Sequence, residues 1–178
     1  MTYTPLPLIG AFRMHNFSAS DQRGSFTKTF HRPTFEALGL GCDFRECYYS
    51  LSRQHVIRGM HFQTPPHDHY KLVYVTVGHI LDVILDLRKE SSTYGQAAAL
   101  ELRANGDSVY LPAGLAHGFL TLSKEATVMY HVSTPYAPVN DAGIHYDSFG
   151  FDWPERERVI LSDRDRAFSG LNDFNSPF

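Results

Sequence analysis

Ten histidines are many for a chain of 178 residues, so their grouping is the first question. His67-Asp68-His69 places two imidazoles one residue apart, and His117 offers a third. Three neutral imidazoles with a carboxylate suit a divalent transition metal. Lys71, two residues beyond His69, argues against that use. A protonated Lys beside a divalent cation is repelled, and burying both without compensation is costly. The pair then reads as a polar turn after Pro65-Pro66, with a metal site on His67, His69 and His117 as the alternative. Neither a metal nor any other cofactor is expected.

The elements that must position these groups read as strands. Leu72-Val73-Tyr74-Val75-Thr76-Val77 is β-branched and aromatic, and Gly78 breaks it. Residues 80–87 continue as a second apolar run. Both are too short and too β-branched to favour helix. Further strands are expected at 98–102, 108–111, 118–122 and 127–133. Asn105-Gly106 and Pro112-Ala113-Gly114 supply turns between them. Arg32 to Leu38 is the one clear helical candidate, about two turns long. Short strands at this spacing predict an all-β sandwich or barrel with a few short helices near the ends.

Composition sets the frame. Hydrophobic residues make up 43% and charged residues 20%, an ordinary globular balance. A net charge of −3 gives no electrostatic reason to expect nucleic acid or a membrane surface as partner. No apolar run approaches membrane-spanning length. The N-terminus lacks a basic region followed by an apolar one, so no signal peptide is expected. Cys42 and Cys47 are too sparse for a disulfide framework and are expected reduced, in a cytoplasmic protein. No internal repeat appears, and the chain reads as one domain: an N-terminal arm to about residue 30, a barrel over 31–150, and a polar tail from 151.

Two segments resemble the motifs of the cupin superfamily. The first motif places H-x-H, then Glu, then Gly after six more residues. Here His67-Asp68-His69 is followed by Lys71 and, six residues later, Gly78. The second reads G-x5-P-x-G-x2-H, matched by Gly106, Pro112, Gly114 and His117; its following Asn is absent, and Thr121 stands there. The resemblance implies a jelly-roll β-barrel whose frame is kept while the metal site is lost.

Arg58-Gly59-Met60-His61-Phe62-Gln63 resembles the R-G-[LM]-H-[FY]-Q block of dTDP-4-dehydrorhamnose 3,5-epimerases. The likeness continues through Lys71-Leu72-Val73, Asp86-Leu87-Arg88, Pro112 to Phe119, Tyr136-Ala137-Pro138 and Asp152-Trp153-Pro154. Asp21-Gln22-Arg23-Gly24-Ser25-Phe26 is similar to the family's D-x-R-G-x-F arm. The resemblance implies a nucleotide-linked 4-keto-6-deoxy sugar as substrate and proton removal beside the ketone. It places the base on His61, paired with Asp165 or, two residues away, Asp163. It places Lys71 beside the developing enolate and makes Tyr130 the proton donor. Val128, Tyr130 and Val132 alternate along one strand, so they share a face. Arg23, Arg58 and His117 would grip the anionic diphosphate, and Tyr136 would stack on the base. The family's arm exchange implies a homodimer in which Arg23 serves the neighbouring site. Arg58 and His61 differ by three positions, so a regular strand would aim them to opposite faces; a bulge or an edge position must resolve this.

The chain departs from the family pattern at Lys28, Glu46, Tyr48 and Asp141, where Glu, Gln, Asn and Glu are usual. These are nucleotide and sugar contacts by resemblance, so dTDP, GDP and CDP stay open, as do inversion at C3, C5 or both. A 3,4-ketoisomerase, a metal-dependent dioxygenase and a sugar-binding cupin without activity are the other readings.

Overall fold

A computed structural model describes residues 1–178. Thirteen strands account for nearly all of the regular structure: β1 Thr2–Pro5, β2 Phe12–His15, β3 Phe17–Asp21, β4 Gly24–Lys28, β5 Glu46–Arg53, β6 Ile57–Gln63, β7 Lys71–Val77, β8 His79–Asp86, β9 Ala97–Arg103, β10 Ser108–Leu111, β11 Leu115–Thr121, β12 Glu125–Val132 and β13 Asp141–Gly143. The helices are short, α1 over Arg32–Ala37 and α2 over Asp163–Arg166. The strands form a six-stranded sheet in the order β1-β2-β10-β7-β12-β5 and a five-stranded sheet in the order β13-β6-β11-β8-β9. Neighbours in both sheets run antiparallel, which makes this the cupin-type jelly roll expected.

The expected strands are all present, β10 with the expected bounds and the others with shifted ends. Gly78 does more than break a run. It is the corner where the chain leaves one sheet for the other, at φ +81°, and a Cβ there would meet the Glu125 carbonyl at 2.1 Å. The strand expected at 118–122 begins at Leu115, because Leu115 already pairs with Asp86. Helix α1 stops at Ala37, with Leu38 as its C-terminal cap.

Burial explains two kinds of strand pattern. β9 alternates buried and exposed residues, since only one face meets the core. β8 and β11 are buried on both faces. Their inner residues Ile80, Ile84, Leu115 and Phe119 join Val73, Val75, Val109 and Val128 between the sheets. Their outer residues Val83, Leu85, Ala116 and Leu120 are covered by Ile144, Tyr146 and Trp153, with Phe174 and Phe178 beside them. The C-terminal segment, expected as a polar tail, therefore closes the outer face of the five-stranded sheet.

At the other end of the chain, β1 and β2 extend the six-stranded sheet within the segment expected as an arm. The β3–β4 hairpin stands apart as its own two-stranded sheet, with Phe17 and Phe26 exposed.

One irregularity positions the cleft. Along the β6–β11 pair, His61 lies opposite His117 and Arg58 opposite Phe119. Three steps on β6 thus match two on β11, the one-residue excess of a β-bulge. Gly59 sits in the bulge at φ +148°, and a Cβ on it would approach the Gly118 Cα to 2.5 Å. The bulge turns Arg58 and His61 to the same cavity, which resolves their odd spacing. Gly59→Ala should destabilise the fold by about 2–3 kcal/mol through backbone strain and collision. Thermal unfolding should show Tm lowered by roughly 5–10 °C; an unchanged Tm would mean that the bulge relaxes freely.

Candidate active site

His61 projects from the bulged strand, and its Nε2 lies 2.9 Å from the Asp165 Oδ1. Asp165 comes from α2, 104 residues further on. Ser162 caps that helix by accepting the Asp165 N–H, so the carboxylate is held over the bulge. There its second oxygen accepts the Gly59 N–H at 3.2 Å. Burial alone would raise the Asp165 carboxyl; the hydrogen bond and charge of His61, with the Gly59 and Ser162 bonds, outweigh it and lower the pKa. The group stays a carboxylate, which fixes the imidazole tautomer with Nδ1 turned away from Asp165. Asp163 is fully exposed and faces Arg166 instead, so Asp165 is the partner of His61.

Lys71 opens β7 beside this pair. It is 6% exposed, and its Nζ donates to the His61 carbonyl at 3.2 Å. Burial pushes its ammonium down to about 8, against the pull of Asp141 and Asp82. Tyr130 on β12 is 8% exposed, with its hydroxyl 3.1 Å from the Ser50 Oγ. Burial raises its phenol well above the ordinary value, so it keeps its proton. Val128 and Val132 are buried on the same face, as the alternation predicts. His117 is held at 2.7 Å by the buried Asp82.

Two adjoining cavities share His61, Lys71 and Tyr48. The inner one, of about 190 Å³, adds Ser50, Arg58, His117 and Tyr130. The outer one, of about 300 Å³, adds Glu46, Gln63, His69, Tyr136, Asp141 and Arg164. At its rim Glu46 accepts the Tyr136 N–H at 2.7 Å, and Asp141 pairs with Arg164 at 2.7 Å and accepts the Tyr136 hydroxyl. Arg58 is anchored to the Ser52 hydroxyl at 2.8 Å and has no carboxylate partner, which leaves its charge for an anion.

Ten of the twelve sequence-predicted site residues thus meet around one cleft. Arg23 and Lys28 do not. Both lie on the exposed β3–β4 hairpin, where Arg23 pairs with Asp21, and neither lines the cavities. The hairpin makes no place for them within one chain.

The polar-turn reading of His67-Asp68-His69 holds for His67, whose N–H closes a turn onto the Thr64 carbonyl, and fails for His69. His69 turns inward, with Nδ1 3.2 Å from the Gln63 amide and 3.1 Å from the Thr134 hydroxyl. Burial and the charge of Lys71 push its imidazole down to about 3. With His117 bound to Asp82, no three His, Cys, Asp or Glu side chains are grouped to hold a metal ion.

Gln63 and Arg164 were not among the predicted site residues. Gln63 shares the alternation of His61 on β6, and Arg164 adjoins Asp165, so each had a visible signal.

The fold and cleft define a cupin-type barrel whose cleft gathers a carboxylate-paired imidazole, a buried ammonium and a buried phenol. The family model of dTDP-4-dehydrorhamnose 3,5-epimerase matches residues 5–173. The enzyme of that name from Mycolicibacterium smegmatis is 38% identical over 173 residues, covering 96% of this chain and 86% of that one. The one from Methanothermobacter thermautotrophicus is 40% identical over 159 residues, covering 86% and 85%. The solved dTDP-6-deoxy-D-glucose-3,5-epimerase of Legionella pneumophila, in complex with dTDP-4-keto-L-rhamnose, superposes with a TM-score of 0.93 at 32% identity, covering 98% and 94%. The chain belongs to the dTDP-4-dehydrorhamnose 3,5-epimerase family.

Proposed function

We propose that the chain epimerises C3 and C5 of a dTDP-linked 4-keto-6-deoxy sugar, the step named for its relatives. The observation that carries this reading is the His61–Asp165 pair opening onto the same cavity as Lys71 and Tyr130. The C4 ketone acidifies the neighbouring C–H bonds. The imidazole of His61 takes one of these protons through the nitrogen that Asp165 leaves free, and Asp165 stabilises the resulting imidazolium. The electron pair moves onto O4, where the charge of the buried Lys71 ammonium offsets it. Tyr130 returns a proton to the opposite face of the carbon, and inversion results. Each group this route needs is a side chain of the cleft.

Arg58 and His117 are proposed to hold the diphosphate, and Tyr136 to stack on the base, with Glu46, Tyr48 and Asp141 around the sugar and nucleotide. Stacking alone tolerates any base; the dTDP names of the relatives support thymidine. Incubating the protein with dTDP- and GDP-linked 4-keto-6-deoxy sugars and reading product configuration by NMR tests this. Inversion of the dTDP sugar supports it; a product with the carbonyl moved to C3 would make the protein a ketoisomerase.

Asp165→Asn should lower kcat by about 10- to 100-fold, because an amide holds the imidazole without stabilising its charge. Asp163→Asn should leave kcat within about twofold. Equal losses in the two variants would break the proposed pairing.

The chain is further proposed to act as one domain and as a homodimer with exchanged hairpins. The exposed Phe17 and Phe26 of the hairpin, and Tyr49 and Leu51 on edge strand β5, are apolar surface that a second copy would cover. This arrangement would carry Arg23 and Lys28 to the partner's cleft. Light scattering at micromolar concentration should give the dimer mass; a fully active monomer would contradict it. Two free cysteines fit a cytoplasmic location.

A further inference from the structure

Tyr130 is confined on several sides, and one of its neighbours has no assigned part in proton return. Tyr48 on β5 is the direct cross-strand partner of Tyr130 on β12. Their rings stack at 4.9 Å between centroids, with planes 21° apart. Ser50, two residues along the same face of β5, meets the Tyr130 hydroxyl at 3.1 Å. The His117 ring stands edge-on at 6.1 Å. Tyr48 is also the residue of β5 common to both cavities. A phenol ring has two soft torsions, and a stacked neighbour narrows both.

We propose that Tyr48 is a positioning residue that aims the Tyr130 hydroxyl at the enolate carbon, and so sets the fraction of enolates that are inverted. This rests on the reading of Tyr130 as the proton donor. The chemistry separates two fates of one intermediate. An enolate reprotonated by Tyr130 inverts. One reprotonated from the His61 side returns to the starting configuration, carrying solvent hydrogen. The base and Lys71 govern how many enolates form; the aim of Tyr130 governs how they divide. Tyr48 touches Tyr130 through ring faces, so its aromatic ring is the working part and its hydroxyl is not.

The ratio of inversion to solvent exchange reads this division. It compares two products of one bound intermediate, so weaker substrate binding cancels from it. In deuterated water, with dTDP-4-keto-6-deoxyglucose as probe, Tyr48→Leu keeps apolar bulk without a ring. It should lower the ratio about tenfold while deuterium uptake with retained configuration continues. Tyr48→Phe keeps the stack and should hold the ratio within about twofold of the parent, whatever its turnover. Tyr130→Phe serves as the reference for complete loss of the donor.

If Tyr48→Leu keeps the parental ratio while Tyr130→Phe loses it, Tyr130 is the donor and the positioning proposal is wrong. A ratio lowered equally in Tyr48→Phe would assign the effect to the Tyr48 hydroxyl and also overturn the proposal. Should Tyr130→Phe itself invert as the parent does, the donor assignment fails, and the positioning role with it.

Discussion

His61→Ala should lose at least about 100-fold in kcat, and deuterium uptake at C3 and C5 should fall with it. The reason is local. His61 has one nitrogen engaged by a carboxylate, its side chain is partly exposed to the cleft, and the bulge at Gly59 aims it inward. The neighbouring imidazoles are placed differently: His117, though also tied to a carboxylate, is buried where His61 is partly exposed, and His69 packs against Gln63 and Thr134 with its imidazole pushed down by burial and Lys71. Neither has the freedom to replace the missing base. Binding of dTDP should persist in the variant, since Arg58 and Tyr136 are untouched. Deuterium uptake at the parental rate in His61→Ala would show that another group removes the proton.

Lys71→Met should depress exchange and inversion together, by about 10²- to 10³-fold, because the enolate precedes both. Methionine keeps most of the length and apolar stem while removing the charge. The pH dependence adds a second reading. Burial lowers the Lys71 ammonium to about 8, so the group is protonated below that pH and neutral above it. Since the charged form stabilises the enolate, kcat/KM should decline as pH rises through about 8. The residual activity of Lys71→Met should lack that decline. A parental decline in the variant would assign it to another group.

The sequence made the strands legible and left the register obscure. Alternation at Val128, Tyr130 and Val132 announced the inward face of β12, and burial agrees. The run at 80–87 looked like any apolar strand. Nothing local said that its outer face would be covered by Trp153 and Phe174, because that cover comes from the far end of the chain. The bulge was required by the spacing of Arg58 and His61, yet its place depends on the close approach of Gly59 to Gly118 across two strands. Asp165 could be separated from Asp163 only once the cap by Ser162 fixed the phase of a four-residue helix. His69 was misread because the turn closes at His67, and the chain leading from it into β7 carries His69 inward onto Gln63 and Thr134. Arg23 and Lys28 were legible as motif members, but a hairpin that stands off its own barrel gives them no site within one chain.

Proton removal and return through an enolate within one cleft leaves a mark on the product. The measurement that tests it most directly is the origin of the hydrogen on the inverted carbons. The parent enzyme should convert dTDP-4-keto-6-deoxyglucose in deuterated water to a product with inverted C3 and C5, each carrying deuterium, and with the carbonyl still at C4. Inversion with the original hydrogen retained at those carbons would contradict the account, because it would mean the C–H bond was never exchanged with solvent through an enolate.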